Sequence, residues 1–253
     1  MKISINIPSY KKEIVKTLKF LPSAKVWIDE SEFEKYQRNN KGVNLISVKS
    51  GIQGNLCRIR NYIIDQEFKN GADVVLLLDD DLNGLYQYRF KNGFAYNRHK
   101  LDEDEIYQLL EKYSILCDDF GFKFWGVNPI AMPLAFRYFS PFSTVAYIGG
   151  PFQCILKGND LRYDEKLHLK EDYDYTLQNL NKYRGALRVN SIFYECDQNE
   201  SRGGCAVVRN IEKEKEQFLL LQNKWGGKII KKDITTKKSY DINPIMKSPI
   251  KGI

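Results

Sequence analysis

The chain has 253 residues, 43% hydrophobic and 28% charged. That balance fits a globular protein, and the length fits either one large α/β domain or one domain plus an appendage. No apolar run approaches the roughly 18 residues that cross a bilayer, and Met1–Pro8 lacks a signal-peptide core, so a cytoplasmic protein without a membrane partner is expected. Five cysteines, Cys57, Cys117, Cys154, Cys196 and Cys205, include no C-x-x-C pair. This argues against a disulfide scaffold or structural zinc and for small buried thiols.

Ile3, Ile5 and Ile7 alternate up to Pro8 and predict a first strand over 2–7. Ile14, Val15 and Leu18 predict a helix over 11–20. A second strand (24–29), a short polar helix (31–38) and a third strand (43–48) follow. A helix over 55–69 then sets Leu56, Ile59 and Ile63 on one face. The most apolar run, Val74–Leu78, reads as a strand buried on both faces. The β-α-β-α-β-α-β order predicts an α/β fold with a mostly parallel, Rossmann-like central sheet flanked by helices. Ligands of such sheets sit at the carboxyl ends of the strands. Further on, the pattern gives an acid-fronted helix over 102–118 and strand-like pieces at 122–127, 144–148 and 152–156. A helix begins near Glu171, strands follow at 186–189 and 191–194, and another helix spans 211–223. The segment after Trp225 has no strong periodicity.

The fourth strand ends in Asp79-Asp80-Asp81. Buried acids cost several kcal/mol unless they are paired or bind a cation, so a cluster here points to a metal site, although acids also end strands where loops are solvated. If the strand continues, Asp79 and Asp81 point one way and Asp80 the other. The pair offers hard oxygens suited to Mg²⁺ or Mn²⁺. No G-x-G-x-x-G follows the first strand, and no Walker-type loop occurs. A nucleotide would be held without a phosphate loop.

Arg58 and Arg60 lie early on the helix after Gly51–Gly54, and either could turn toward the crevice to meet a diphosphate or an acid. Glu171 and Asp172 open a helix. They serve either as dipole partners or as a general base for a transfer to a hydroxyl. Of the two histidines, His99 sits in a polar stretch and His168 lies three residues before the acidic pair. The formal net charge is +7, and from Lys224 to Ile253 eight lysines face two aspartates. Lys224, Lys228, Lys231, Lys232, Lys237 and Lys238 thus suit a polyanion such as DNA, or simply a solvated tail. The 16 Tyr, 14 Phe and 3 Trp suit stacking on bases or sugars as well as an ordinary core.

Taken in order, Ile7–Lys11, Arg60-Asn61, Leu78–Asp81 and Lys170–Asp174 give the chain a resemblance to GT-A glycosyltransferases, and Ile7–Lys12, Arg60–Ile64, Leu77–Asp81, Gly149–Phe152, Arg162–Glu165 with Glu171–Leu177, and Ser201–Gly204 carry a narrower one. More narrowly, it is similar to the TET-associated glycosyltransferases, found largely in phage and bacterial DNA-modification systems. The resemblance covers about residues 3–210. It implies a catalytic domain over 1–223, with a nucleotide-binding half (1–81) and an acceptor half (82–223), followed by a basic extension (224–253).

It further implies a donor that is a nucleoside-diphosphate sugar, foremost a UDP-sugar, and an acceptor that is a hydroxymethylated pyrimidine in DNA. Pro8, Ser9 and Tyr10 would hold the nucleotide base. Asp79 would lie near the ribose or the metal, and Asp81 would bind the divalent ion. Arg58, Arg60 and Asp80 would complete the nucleotide site, with Asp80 more structural. Gly149 and Gly150 would let the sugar approach the backbone. Asp172, beside Glu171, would be the base. Many GT-A enzymes add a late histidine to the metal, whereas no histidine follows His168 here, so either Asp197, Asn199 or water would substitute or Asp81 and the phosphates would hold the metal. The competing readings are a glycan, lipid or protein acceptor, and a non-catalytic nucleic-acid-binding module. The sugar and the stereochemical course stay open.

Overall fold

The computed structural model describes residues 1–12, 14–133, 136–196, 210–233 and 242–249. Asp197, Asn199, Ser201–Gly204, Cys205, Lys237, Lys238 and Lys251 lie outside the described residues. The first half follows the expected order: β1 (Ile3–Pro8), β2 (Lys25–Asp29), α1 (Phe33–Asn39), β3 (Asn44–Val48), α2 (Leu56–Lys69) and β4 (Val74–Leu78). The segment 11–20 differs. It makes a single 3₁₀ turn over Lys16–Lys19 instead of a helix. Its donors are committed elsewhere: Lys16 N donates to the Asp80 carbonyl at 2.8 Å and Thr17 Oγ1 to the Asp79 carbonyl at 2.6 Å. The β-branched Val15 and Thr17 are buried against this turn.

Beyond the aspartates the chain forms a hairpin not expected from the sequence, β5 (Leu82–Lys91) and β6 (Phe94–Lys100). Asn92 (φ 50°) and Gly93 (φ 81°) form its turn, as a two-residue hairpin loop with positive φ at both positions demands. Next comes α3 (Glu103–Asp119), whose start is fixed by a reciprocal capping box between Asp102 and Glu105. The remaining elements are β7 (Phe124–Asn128), β8 (Phe142–Ser143), β9 (Phe152–Leu156), α4 (Glu171–Tyr183), β10 (Leu187–Cys196), α5 (Ile211–Trp225), β11 (Ile230–Lys232) and β12 (Pro244–Met246). The two strands expected between 186 and 194 are one continuous strand, and 144–148 is irregular.

The main sheet has the order β3-β2-β1-β4-β9-β7-β10-β5-β6, with β8 also on β10. Strands β1 to β4 are mutually parallel as expected. The whole sheet is mixed. β9 runs antiparallel to both β4 and β7, and the hairpin runs antiparallel to β10. The reason is connectivity. Parallel neighbours need a crossover, usually a helix, whereas β7 returns to β9 with no helix among the described residues. Because Leu78 pairs with Phe152, β9 begins at the edge where β1, β2 and β4 end. That edge therefore gathers Pro8–Lys12, Asp29, Asp79–Asp81 and Gly149–Gly150.

Strands β4, β7 and β9 are buried at every position. One core, with Leu76, Trp125, Cys154 and Val189, lies on the α3 side. The other, with Ile59, Ile63, Val75 and Phe124, lies on the α2 and α4 side. A third cluster joins Leu167, Leu177, Phe218 and Leu221 to Ile230 and Ile242, so the described residues after Trp225 pack on α4 and α5. Cys57, Cys117 and Cys154 are buried thiols. Among the described residues no helix is long and apolar enough to cross a membrane.

Lys170, which precedes α4, donates to Glu214 of α5 at 2.6 Å, and both side chains are buried. Removing one member of such a pair is strongly destabilising because the other charge stays buried. Glu214→Ala should therefore lower stability by about 3–5 kcal/mol, read as a fall in the urea midpoint. Exposed Glu212→Ala should leave the midpoint nearly unchanged.

Candidate active site

β4 ends at Leu78 and the three aspartates form the turn that follows. Strand alternation therefore does not carry through them, and the expected pairing of Asp79 with Asp81 on one side is corrected. Asp80 and Asp81 share the Lys12 ammonium, at 3.1 and 3.6 Å, while Asp79 turns to Arg60. Asp80 is buried and also accepts from Ser9 Oγ at 2.5 Å. Burial pushes its carboxyl upward, with Lys12 and Ser9 opposing. Asp79 is pushed up to about 6, first by burial and then by Asp81, Asp80 and Asp172, with Arg60 opposing. About a third of its side chain (32%) remains open to solvent.

The loop after β1 is tied down from two sides. Ser9 N donates to the Trp27 carbonyl at 3.0 Å, and Ser9 Oγ lies 2.9 Å from the Tyr36 hydroxyl. Gln53 Nε2 donates to the Trp27 carbonyl at 2.9 Å and the Ser9 carbonyl at 3.3 Å. Lys11 takes positive φ (55°) with its ammonium 5.0 Å from the Tyr10 ring centre. Pro8, Ser9 and Tyr10 thus sit at the sheet edge beside the aspartate turn.

Two residues apart on a helix means opposite faces, and the two arginines of α2 divide accordingly. Arg58 is exposed and pairs with Glu165 at 3.0 Å and the Gly51 carbonyl at 2.6 Å. The expectation that either could turn to the crevice resolves to Arg60 alone. The Arg60 side chain is 1% exposed. Its Nη2 donates to Asp79 Oδ1 at 2.9 Å and to the Gly150 carbonyl at 3.0 Å. Its Nη1 donates to Glu171 Oε1 at 3.2 Å and Gln153 Oε1 at 3.4 Å. Its guanidinium carbon lies 5.6 Å from the centre of the Tyr163 ring. Burial works against the charge, but Tyr163, Asp79, Glu171 and Asp172 outweigh it and hold the group firmly protonated.

Glu171 and Asp172 occupy the first turn of α4, where the helix dipole favours negative charge. They face different partners. Glu171 is buried on Arg60, and burial together with Asp172 pushes its carboxyl up to about 8 against the pull of Arg60. Asp172 is half-buried. Its Oδ2 accepts from Gly150 N at 3.2 Å and from the Tyr147 hydroxyl, and its Oδ1 from Tyr173 N at 2.8 Å. Tyr147 stacks on Tyr173 with ring centres 4.2 Å apart. A Cβ on Gly149 would lie 2.4 Å from the Tyr194 hydroxyl, and one on Gly150 would lie 3.4 Å from Glu171 Oε1 and 3.5 Å from Asp172 Oδ2. Glycine is therefore required at 149 by a close approach, and Gly150 is wrapped by acids.

Lys12, Tyr147, Gln153, Tyr163 and Tyr194 join the site without having been expected there. Nothing in their local spacing marks them except for Lys12, which adjoins the loop after β1. His168 faces Lys213 and Glu216 of α5, and His99 pairs with Glu105 at 2.8 Å. Neither histidine is among the partners of the aspartates. Lys224 is spent within the fold, on Asp164 at 2.8 Å and Asp174 at 3.0 Å. Lys228, Lys231 and Lys232 are exposed.

The residues fit a divalent ion in one respect and limit it in another. Five carboxylates (Asp79, Asp80, Asp81, Glu171, Asp172) are set against Arg60 and Lys12, an excess of negative charge that a cation would relieve. Among the described residues, however, no three His, Cys, Asp or Glu side chains form a metal cage. That donor set suits an ion taking one or two protein carboxylates and filling its shell with substrate oxygens.

Residues 15–204 match the family model described as TET-Associated Glycosyltransferase, and the chain belongs to that family of glycosyltransferases. No curated protein matches the sequence. Among solved structures, glucosyl-3-phosphoglycerate synthase from Mycobacterium tuberculosis in complex with Mn²⁺, uridine-diphosphate and phosphoglyceric acid is similar at TM-score 0.50 and 10% identity. The match covers 98% of this chain and 88% of that one. The same synthase with Mg²⁺ and uridine-diphosphate gives 0.49 at 10% identity, over 98% and 87% of the two chains. A197 from STIV gives 0.45 at 12%, over 80% and 89%. With its mixed sheet flanked by helices, the fold is GT-A-like.

The raised carboxyl of Glu171 has a thermodynamic consequence. Its folded pKa, about 8, lies above its ordinary 4.5, so between these values the unfolded chain binds fewer protons and stability falls as pH rises. The contribution is full below about 4.5 and lost through about 8. Thermal melts from pH 5 to pH 8 should therefore show a declining Tm that flattens in Glu171→Gln. An equally steep decline in the variant would count against this assignment.

Proposed function

We propose that this crevice transfers a sugar from a nucleoside-diphosphate sugar, foremost a UDP-sugar, to a hydroxymethylated pyrimidine in DNA, with a divalent Mg²⁺ or Mn²⁺ ion. The observation that carries the reading is the shared glycine: Gly150 gives its N–H to Asp172 and its carbonyl to Arg60, which holds Asp79. The candidate base and the candidate diphosphate end are thereby brought to one backbone position. Family membership supports glycosyl transfer, and the family's association with DNA modification supports the acceptor.

In this reading Pro8, Ser9 and Tyr10 hold the nucleotide base, and Asp81 with Asp79 hold the ion. When bound, the cation would supply neutralising charge to the leaving diphosphate. Arg60 is too buried to follow a ligand and instead fixes Asp79 from behind. Asp80, tied to Ser9 and Lys12, joins the base loop to the aspartate turn. The missing side chains of Gly149 and Gly150 let Tyr194, Glu171 and Asp172 close on this backbone, beside which the reading places the sugar. The acceptor hydroxyl oxygen attacks the anomeric carbon, the bond from that carbon to the diphosphate oxygen breaks, and the hydroxyl proton passes to Asp172. The Tyr147 hydroxyl and the N–H groups of Gly150 and Tyr173 orient the carboxylate for this. Attack assisted by such a base favours inversion. Glu171, facing Arg60, positions α4. The exposed Lys228, Lys231 and Lys232, with Lys237 and Lys238, favour a polyanionic acceptor.

The test is mass spectrometry of nucleosides from hydroxymethylated DNA incubated with the protein, Mn²⁺ and a panel of nucleotide-sugars. One donor should add the mass of its glycosyl residue, the sugar less one water, to the modified base. Asp172→Asn should cut turnover by about 10²–10⁴-fold, and Asp81→Ala should abolish it. No mass shift with any donor, alongside glycosylation of a free glycan or protein hydroxyl, would remove DNA as the acceptor.

A further inference from the structure

We infer that the β5–β6 hairpin and the described residues of the loop facing it, 129–133 and 136–141, form a docking surface for a nucleic-acid strand with unstacked bases. This rests on the DNA-acceptor reading above and assigns to it a surface other than the C-terminal lysines.

The first observation is charge. Residues 82–101 contain Arg89, Lys91, Arg98 and Lys100 and no Asp or Glu. The facing loop lies within another acid-free stretch, 120–159, and carries Arg137. The acids that reach the hairpin come from elsewhere: Glu195 of β10 pairs with Arg98, and Glu105 of α3 with His99. Cations along an edge strand also serve to block sheet-to-sheet pairing, so charge alone would not identify a ligand.

The second observation is the aromatic face, which edge protection does not explain. Tyr86 and Tyr88 of β5 pack on Phe193 of β10, with ring centres 5.5 and 4.5 Å apart. Phe136 and Tyr138 of the loop pack on Phe90 at 5.1 and 5.2 Å. Beyond this ordered layer, three further rings of the hairpin and loop are exposed. Phe94 is 77% exposed, Tyr96 59% and Phe139 85%. Rings on a rigid sheet, interleaved with arginine and lysine, provide what bases need to stack without sequence reading. A buried duplex offers no free base faces, so the match is to a single strand or an extruded base.

The third observation is position. Ala131 and Pro133 of the loop wall a cavity of about 300 Å³ with Tyr88, Tyr96 and Arg98. Pro129, at the start of the same loop, lies 3.3 Å from where a Cβ on Gly149 would sit. β5 itself begins one residue after Asp81. One loop and one strand thus run from the transfer site to the aromatic face. A strand lying there would pass its hydroxymethyl group toward Gly149 and Asp172.

Fluorescence anisotropy with a labelled short single strand and the matching duplex tests this, with the mass-spectrometric transfer assay run in parallel. The protein should prefer the single strand. F94A/Y96A should weaken single-strand binding by about 5- to 100-fold, and Phe139→Ala, on the other wall, should weaken it independently. Both change exposed rings, so an unaltered melting curve verifies the fold. Lys91→Ala should reduce the slope of log K against log salt by about 0.7. If wild type binds and modifies DNA while F94A/Y96A and Phe139→Ala bind as tightly, the docking surface is wrong and the DNA acceptor stands. If both variants lose duplex binding as much as single-strand binding, the unstacked-base assignment is wrong. If wild type neither binds nor modifies any DNA, the acceptor reading itself fails.

Discussion

The Arg60 guanidinium is the interaction on which the site depends. A buried cation costs several kcal/mol unless its donors are taken up, and Arg60 spends its two terminal nitrogens on Asp79, Glu171, the Gly150 carbonyl and Gln153. These partners come from four places in the chain: the turn after β4, the start of α4, the approach to β9 and β9 itself. A single planar donor fork therefore fixes the relative positions of the aspartate turn and α4. A lysine, with one point charge, could not reproduce that reach.

The price of this arrangement is crowded negative charge. Asp79 and Glu171 both titrate upward because burial and neighbouring carboxylates act together, and one guanidinium does not offset them. Lys12 plays the corresponding part for Asp80 and Asp81. Asp172 stands apart: its partners are neutral donors and it faces the glycines, which leaves it suited to receive a proton.

Much of this was legible in the sequence where periodicity and chemistry coincide. Val74–Leu78 could only be a buried strand, and acids at its end marked the site. The order of the first four strands followed from alternation with helices. The later half was harder to read because its strands find partners far away in the chain: β9 slots antiparallel between β4 and β7, and β10 runs parallel to β7 and antiparallel to β5. The hairpin carries one local signal, Asn92-Gly93 between aromatic runs. Asp79–Asp81 do not alternate because the strand stops at Leu78 and a turn sends Asp79 to Arg60 and both Asp80 and Asp81 to Lys12. That Arg60 rather than Arg58 turns inward follows from helix geometry once the buried face is known. Tyr147 and Tyr194 reach the site only through tertiary packing, and no spacing announces them.

The central claim is that Asp79 and Glu171 are coupled through Arg60. A double-mutant cycle measures it: the unfolding free energies of Asp79→Asn, Glu171→Gln and the double variant, at one pH and salt. Residues sharing a partner should deviate from additivity by about 0.5–3 kcal/mol. Additivity within about 0.3 kcal/mol would mean independent sites and would contradict the account.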